Sequence, residues 1–221
     1  MAGAAHLKTD VHLLRIPRYV PTQNSRISPQ ATTTSMDLLS SLYAFPYLKD
    51  SIFCFIPPPA FRTDPYLGNE QLLDQSLVAF FASRETPDDV AQRALRWAEM
   101  ICHTDKVVIS GFHSPLEKEV LNVLLEHKHP VILALGRSIY KRVPQQFEQP
   151  LAEGRMLIVS ICNSVRQGWW TSQHRNWTIA DWADECVWAG VHRGSALDVP
   201  FDIYLSKSKK IEDFSFEDYT F

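Results

Sequence analysis

The sequence has few glycines and none of the common motifs that hold a nucleotide by its phosphates. Its 221 residues include 8 glycines. They are too scattered for the three glycines of GxGxxG, and GxxxxGK[ST] is missing. These absences argue against a dehydrogenase of the usual dinucleotide-binding type and against a P-loop NTPase. GxSxG and HExxH are missing as well, so the motifs typical of a serine hydrolase or a zinc protease are not present.

Paired cysteines and long apolar runs are also missing. The four cysteines form no CxxC pair, so we expect neither a zinc site nor a thioredoxin-like centre, and no cofactor is predicted. The longest apolar runs, such as 131–135, are far below the ~20 residues that span a bilayer. Charged residues interrupt the first 18 positions, which have no signal-peptide core. We therefore expect a cytoplasmic protein without a membrane segment.

Charge of one sign is not in excess either. The formal net charge is −3, with 45% hydrophobic and 21% charged residues. This composition is typical of a globular protein and excludes a strongly basic nucleic-acid coat. Polarity and proline content along the chain predict four segments. They are a flexible N-terminal arm (1–35), an extension packing on the core (36–76), an α/β domain (77–205) and a charged aromatic C-terminal tail (206–221).

The region after residue 77 alternates between strand-like and helical patterns. Short apolar runs at 77–83, 106–111, 131–136, 156–162 and 185–192 predict strands. Helical spacing predicts helices at 87–103, 114–130 and 172–184, with a short one before residue 156. The alternation predicts an α/β fold with a mainly parallel sheet and helices on both faces. Ligands of such sheets bind beyond the carboxyl ends of the strands.

The loop ISGFHSPLEKE is the most informative of the turns at this edge. Ser114 and Glu117 have the spacing of a capping box, and Pro115 suits the first helical position. A helix N-terminus offers free N–H groups to an anion. The loop sequence therefore predicts a phosphate site, although the carboxylate of Glu117, which closes the capping box, partly opposes anion binding there. The alternative is that Ser114 only caps the helix and His113 is a solvated loop residue.

Cations and tryptophans follow the next strands. Three cations stand in one loop at Arg137, Lys141 and Arg142, which suits a phosphate backbone as well as an ordinary solvated loop. Five of the six tryptophans fall within residues 169–188. We expect Trp177, Trp182 and Trp188 to pack on the sheet. The Trp169–Trp170 pair is left open between core packing and stacking on unpaired bases.

Two weaker signals lie outside this edge. His127 and His129 lack a nearby carboxylate or thiol, so we expect no metal there and interpret both as cationic groups ending a helix. The end of the chain, SKSKKIEDFSFEDYTF, changes from basic to acidic and is rich in aromatic residues. It is interpreted as a frayed end or a last strand packing on the body or, alternatively, as a docking peptide. No clear helix and strand are visible after Leu197.

Five blocks occur in a fixed order over residues 75–195: VAFFASRETP, VVISGFHSPLEKEVLNVLL, VILALGRSIYKRVPQQFEQPLAEGRMLIVS, HRNWTIADWADECVWAG and HRGSAL. In this order they resemble the Rossmann-like domain of the DNA-processing protein A (DprA, or Smf) family, within the SLOG superfamily. The SGFHSP…EKE block replaces a glycine-rich turn and is similar to that of a divergent branch. Trp177 stands where the family has an arginine.

The resemblance implies a non-enzymatic protein that binds single-stranded DNA and helps to load a recombinase in natural transformation, with a homodimer as a further expectation. The expected phosphate-binding residues are Arg84, Ser110, Gly111, His113, Ser114, Glu117, Gly136, Arg137, Lys141, Arg142, Arg175, Asn176, Gly194 and Ser195. Two alternatives stay open. One is a nucleotide-binding sensor or hydrolase of the SLOG type, in which Glu117 or His113 acts on a ribosyl bond, although the PGGxGTxxE motif is absent. The other is a scaffold that binds only protein.

Overall fold

The computed structural model describes residues 66–162 and 164–215 of the chain. Strands and helices alternate along this part. The strands are β1 Tyr66–Gly68, β2 Leu77–Ala82, β3 Val107–Ser110, β4 Val131–Leu135, β5 Met156–Ser160, β6 Glu185–Ala189 and β7 Ser208–Lys210. The helices are α1 Asp88–Ile101, α2 Pro115–Glu126, α3 Gln145–Ala152, α4 Trp169–Trp182 and α5 Asp198–Ile203. The predictions for 1–35, for most of 36–76 and for the last six residues lie outside the described residues.

The strands form one sheet in the order β1-β5-β4-β3-β2-β6-β7. Strand β1 is antiparallel to β5, and the other neighbours are parallel. Strands β2 to β5 are buried along their whole length, because helices cover both faces of the sheet. The predicted α/β fold, a Rossmann-like and mainly parallel sheet with helices on both faces, is confirmed.

Aromatic stacking marks the two layers of the core. On one face, Trp97 of α1 stacks on Phe80 of β2 with ring centroids 5.0 Å apart. On the other, Phe81 stacks on Trp188 at 4.2 Å, and Phe201 of α5 meets the same indole edge-on. Trp188 is fully buried, as predicted. The tryptophans at positions 177 and 182 are only half-buried, because α4 turns one side to the sheet.

The structure differs from the prediction at the start of α4, after Leu197 and before β2. Helix α4 begins at Trp169 instead of residue 172, because the hydroxyl of Thr171 accepts a hydrogen bond from the Gly168 N–H at 2.9 Å and closes an earlier first turn. A helix and a strand do follow Leu197, namely α5 and β7. Strand β1 was not predicted. Three-residue strands are too short to show alternation in a sequence, and β7 is also polar.

The chain after β7 packs against the rest of the domain. Ile211 and Phe214 are buried, and the Arg93 guanidinium of α1 donates hydrogen bonds to the carbonyl oxygens of Glu212 and Phe214. Up to residue 215, this agrees with the interpretation of a last strand packing on the body.

The interpretation of His129 as a cationic helix end is wrong. Lys128 adopts φ +56°, and this turn carries His129 into the interior, where it is 3% exposed. Burial lowers the pKa of His129 to about 4, against a weaker opposing effect of its hydrogen bond to the Lys106 backbone. Protonation would add an N–H at Nε2, which has no hydrogen-bond partner among the described residues. His127 does end the helix, with Nδ1 2.9 Å from the Val123 carbonyl oxygen.

This buried imidazole predicts a specific loss of stability in acid. Between pH 6.5 and 4 the unfolded chain binds a proton at His129 that the folded protein does not bind, so stability falls as the pH falls. At about pH 4.5 this difference in proton binding lowers the free energy of unfolding by about 2–3 kcal/mol. Urea unfolding of the wild type should therefore be more acid-sensitive than that of His129→Gln, which has no proton to bind. Parallel pH profiles of the two proteins would contradict the assignment.

Candidate nucleic-acid interface

Four neighbouring parallel strands bring the predicted residues to one edge of the sheet. Strands β4, β3, β2 and β6 lie side by side with parallel register, so the loops after them leave the same edge. We call this the carboxyl edge. It carries the predicted residues at the ends of these strands: Arg84 after β2, Ser110 as the last residue of β3 and Gly111, His113 and Ser114 after it, Gly136, Arg137, Lys141 and Arg142 after β4, and Gly194 and Ser195 after β6.

The capping box at the start of α2 is present, and its carboxylate does more than cap. The Ser114 hydroxyl accepts from the Glu117 N–H, and Glu117 Oε2 accepts from the N–H groups of His113 and Ser114 at 2.6 and 3.0 Å. The second oxygen, Oε1, accepts from the Ala82 N–H at 3.1 Å, at the end of β2. A buried carboxylate thus joins two loops of the carboxyl edge. It also occupies N–H groups that an anion would otherwise use.

Arg175 and Asn176 lie beneath this loop rather than on its surface. Arg175 is 4% exposed, and its Nε and Nη2 both donate to the Asn176 side-chain oxygen, at 3.2 and 2.8 Å. The guanidinium packs against Gly111 so closely that a Cβ there would come within 2.4 Å of Cζ. Burial lowers the pKa of Arg175, while the Glu117 carboxylate opposes this effect. Any phosphate contact of Arg175 is therefore made through the small surface that remains.

His113 lies on the outside of the same loop, within a group of cations. Loss of hydration lowers its pKa, and the positive charges of Arg175, Arg84 and Lys118 lower it further, against the effect of Glu117. These effects favour the neutral imidazole, which can accept one hydrogen bond and donate another. Sequence reasoning missed Lys118. Its position in the first turn of α2, directly after the capping Glu117, was the available signal.

The β4–α3 loop is held by contacts within itself and with the loop after β5. The Arg137 guanidinium lies over the Tyr140 ring, 4.6 Å from its centroid, and the Arg137 carbonyl accepts from the Ser160 hydroxyl. Ser138 donates from N–H and hydroxyl to the Ser164 carbonyl, at 2.7 and 2.9 Å. Lys141 and Arg142 are exposed. This loop therefore presents its three cations from an anchored backbone.

The glycine before these cations explains how α4 reaches the same place. A Cβ on Gly136 would come within 2.9 Å of the Thr171 carbonyl oxygen, so only glycine lets the first turn of α4 approach β4 this closely. Two exposed indoles, Trp169 and Trp170, stand on that turn. The carboxyl edge thus combines cations with open aromatic rings.

The predicted residues after β6 form a separate turn at the far end of the row. Gly194 adopts φ +83°, and its N–H donates to the Asp198 carboxylate at 2.7 Å. Ser195 is half-buried, and its hydroxyl oxygen has no partner among the described residues. This turn lies on the opposite side of β2 from the cationic loops of β3 and β4.

In residues 66–162 and 164–215, no three His, Cys, Asp or Glu side chains group together as metal ligands. Within the same part of the chain, none of the helices has the length and apolar character needed to cross a bilayer.

Comparisons with known proteins find likeness in structure but not in sequence. No family model matches the chain, and no curated protein matches it. DprA from Streptococcus pneumoniae superposes with a TM-score of 0.54 at 16% identity, over 80% of this chain and 65% of that one. DprA from Helicobacter pylori, whose structure addresses its single-stranded DNA binding mode, superposes with a TM-score of 0.54 at 16% identity. This match covers 66% of this chain and 70% of that one. The chain thus spans about two thirds of the length of these proteins, and it has the Rossmann-like fold of DprA.

Proposed function

We propose that this chain is a DNA-processing protein that binds single-stranded DNA along its carboxyl edge, without enzymatic activity. The observation that carries the proposal is the row of cationic side chains on adjacent loops: Arg84, Arg137, Lys141 and Arg142, with Lys118 beside His113. The net charge of the chain is −3, so binding depends on this local group and not on overall attraction. The fold shared with DprA supports the same ligand.

The spacing of the row suits an extended strand better than one compact phosphate. Neighbouring strands lie about 4.8 Å apart, so the ends of β4, β3 and β2, whose loops carry these cations, extend over about 10 Å. Cations spread over this length can contact more than one phosphate at a time. Flexible phosphate backbones are recognised by such rows through charge, without regard to sequence.

A nucleotide hydrolase fits the edge less well. Glu117, one of the two residues that a hydrolase would use as acid or base here, already accepts three backbone hydrogen bonds and is 4% exposed. A carboxylate held in this way orders two loops and has little freedom to attack or protonate a ribosyl bond. These contacts favour a structural role for Glu117 and leave His113 as the other candidate acid or base of a hydrolase at this loop.

Salt dependence tests the proposal directly. With three to five phosphate contacts, log Kd against log salt should have a slope of about 2 to 3.5 in magnitude, because each contact on a single strand contributes about 0.7. Changing Arg137, Lys141 and Arg142 together to alanine should weaken binding at low salt and reduce the slope by about 2. Fluorescence anisotropy with a labelled single-stranded oligonucleotide measures both quantities.

The control removes three cations elsewhere. Lys106 and Lys209 both pair with Glu185 at the start of β6, and Lys128 precedes β4, so these lysines lie away from the carboxyl edge. Their triple alanine variant has the same net charge as the first variant and should keep the wild-type slope. No binding by the wild type at low salt, or equal slopes for both triple variants, would overturn the proposal.

A further inference from the structure

Two neighbouring tryptophans on α4 are exposed to solvent. Trp169 is 59% and Trp170 57% exposed, although large aromatic side chains are usually well buried. Their ring centroids lie 4.5 Å apart, and the ring planes are 84° from each other. This edge-to-face contact holds the two indoles in a fixed arrangement while large parts of both rings stay open.

The pair is joined to the cationic loop of β4. Thr171, the next residue of α4, contacts Gly136, and Ser164 in the loop before the helix accepts both hydrogen bonds from Ser138. Arg137 lies between Gly136 and Ser138 in this anchored loop. The indoles therefore continue the row of cations rather than forming a separate surface.

We propose that Trp169 and Trp170 form a stacking platform for unpaired bases of the strand whose phosphates contact Arg137, Lys141 and Arg142. This inference rests on the proposed function. Every base offers a flat π face, so such a platform is independent of sequence, as the cations are. Two half-exposed indoles offer about 300 Å² of accessible surface for contact with bases. That is enough for one or two bases and well below the ~800 Å² per partner of a standard protein interface.

The key variant replaces both tryptophans by alanine. It should lower the affinity for a labelled oligothymidylate about tenfold or more, because each stacked base contributes strongly to single-strand binding. The log–log salt slope should stay at the wild-type value, since no charge is removed. Trp169→Phe with Trp170→Phe keeps aromatic faces and should restore most of the affinity. Val165→Ala, which trims another exposed side chain in the same region, should bind like the wild type.

An oligonucleotide of equal length with abasic sites gives a test that needs no variant. It should bind the wild type about tenfold or more weakly than the normal strand, and the double alanine variant should no longer distinguish the two probes. Two results would overturn the platform alone: equal affinity of the wild type for both probes, or full affinity of the double alanine variant. Failure of the wild type to bind any strand at low salt would overturn the proposed function and the platform together.

Discussion

Replacing Glu117 by alanine is expected to lower the free energy of unfolding by about 3–5 kcal/mol, because three buried or half-buried N–H groups lose their acceptor at once. Each unsatisfied donor costs about 1–3 kcal/mol, and water entering the vacated space recovers part of this. Arg175 would also lose the nearby negative charge that compensates its burial.

Urea denaturation followed by circular dichroism measures this loss. Glu119 lies on the same helix but is exposed, so Glu119→Ala should change stability by less than about 0.5 kcal/mol. Glu117→Gln keeps one carbonyl acceptor and should fall between the two. A loss below about 1 kcal/mol in Glu117→Ala would mean that water replaces the carboxylate and that its bridge between the loops is dispensable.

Truncating Trp97 to alanine is expected to cost about 3–5 kcal/mol. Its indole is 2% exposed and stacks on Phe80 between α1 and the sheet, so its removal leaves a cavity that rigid strands cannot fill. Thermal and urea unfolding should both show the loss, with the secondary structure retained at low temperature.

The matched control for Trp97 is the same substitution at an exposed site. Trp169→Ala should change stability by less than about 0.5 kcal/mol, since its indole is already largely in solvent. The two variants separate the structural from the proposed binding role of tryptophan in this chain. Similar stability losses in both would contradict the assignment of Trp169 to the surface.

Sequence patterns predicted best where the signal is local and repeated. Helix α1 was predicted within two residues of its observed ends, because its apolar stripe runs over its whole length. The capping box was also predictable, since Ser114 and Glu117 are three residues apart. The end of α2 was predicted four residues too late. The turn at Lys128, with φ +56°, has no strong signal in the sequence.

What could not be predicted depends on contacts between distant parts of the chain. Two contacts form only once β2, β3 and α4 are in place: the hydrogen bond from the Ala82 N–H to the Glu117 carboxylate, and the packing of Arg175 on Gly111. Whether a cationic side chain is exposed or buried also depends on such contacts. Arg175 and Arg137 look equivalent in sequence, but α4 buries one while the β4–α3 loop presents the other.

The strands at the two ends of the sheet bear on how copies of this protein can meet. Within the described residues, β1 and β7 are both three residues long, and β7 consists of a serine and two lysines. Short strands with lysine side chains are poor templates for pairing with a strand of another molecule. At β7 the sheet is therefore protected against edge-to-edge growth into a continuous intermolecular sheet.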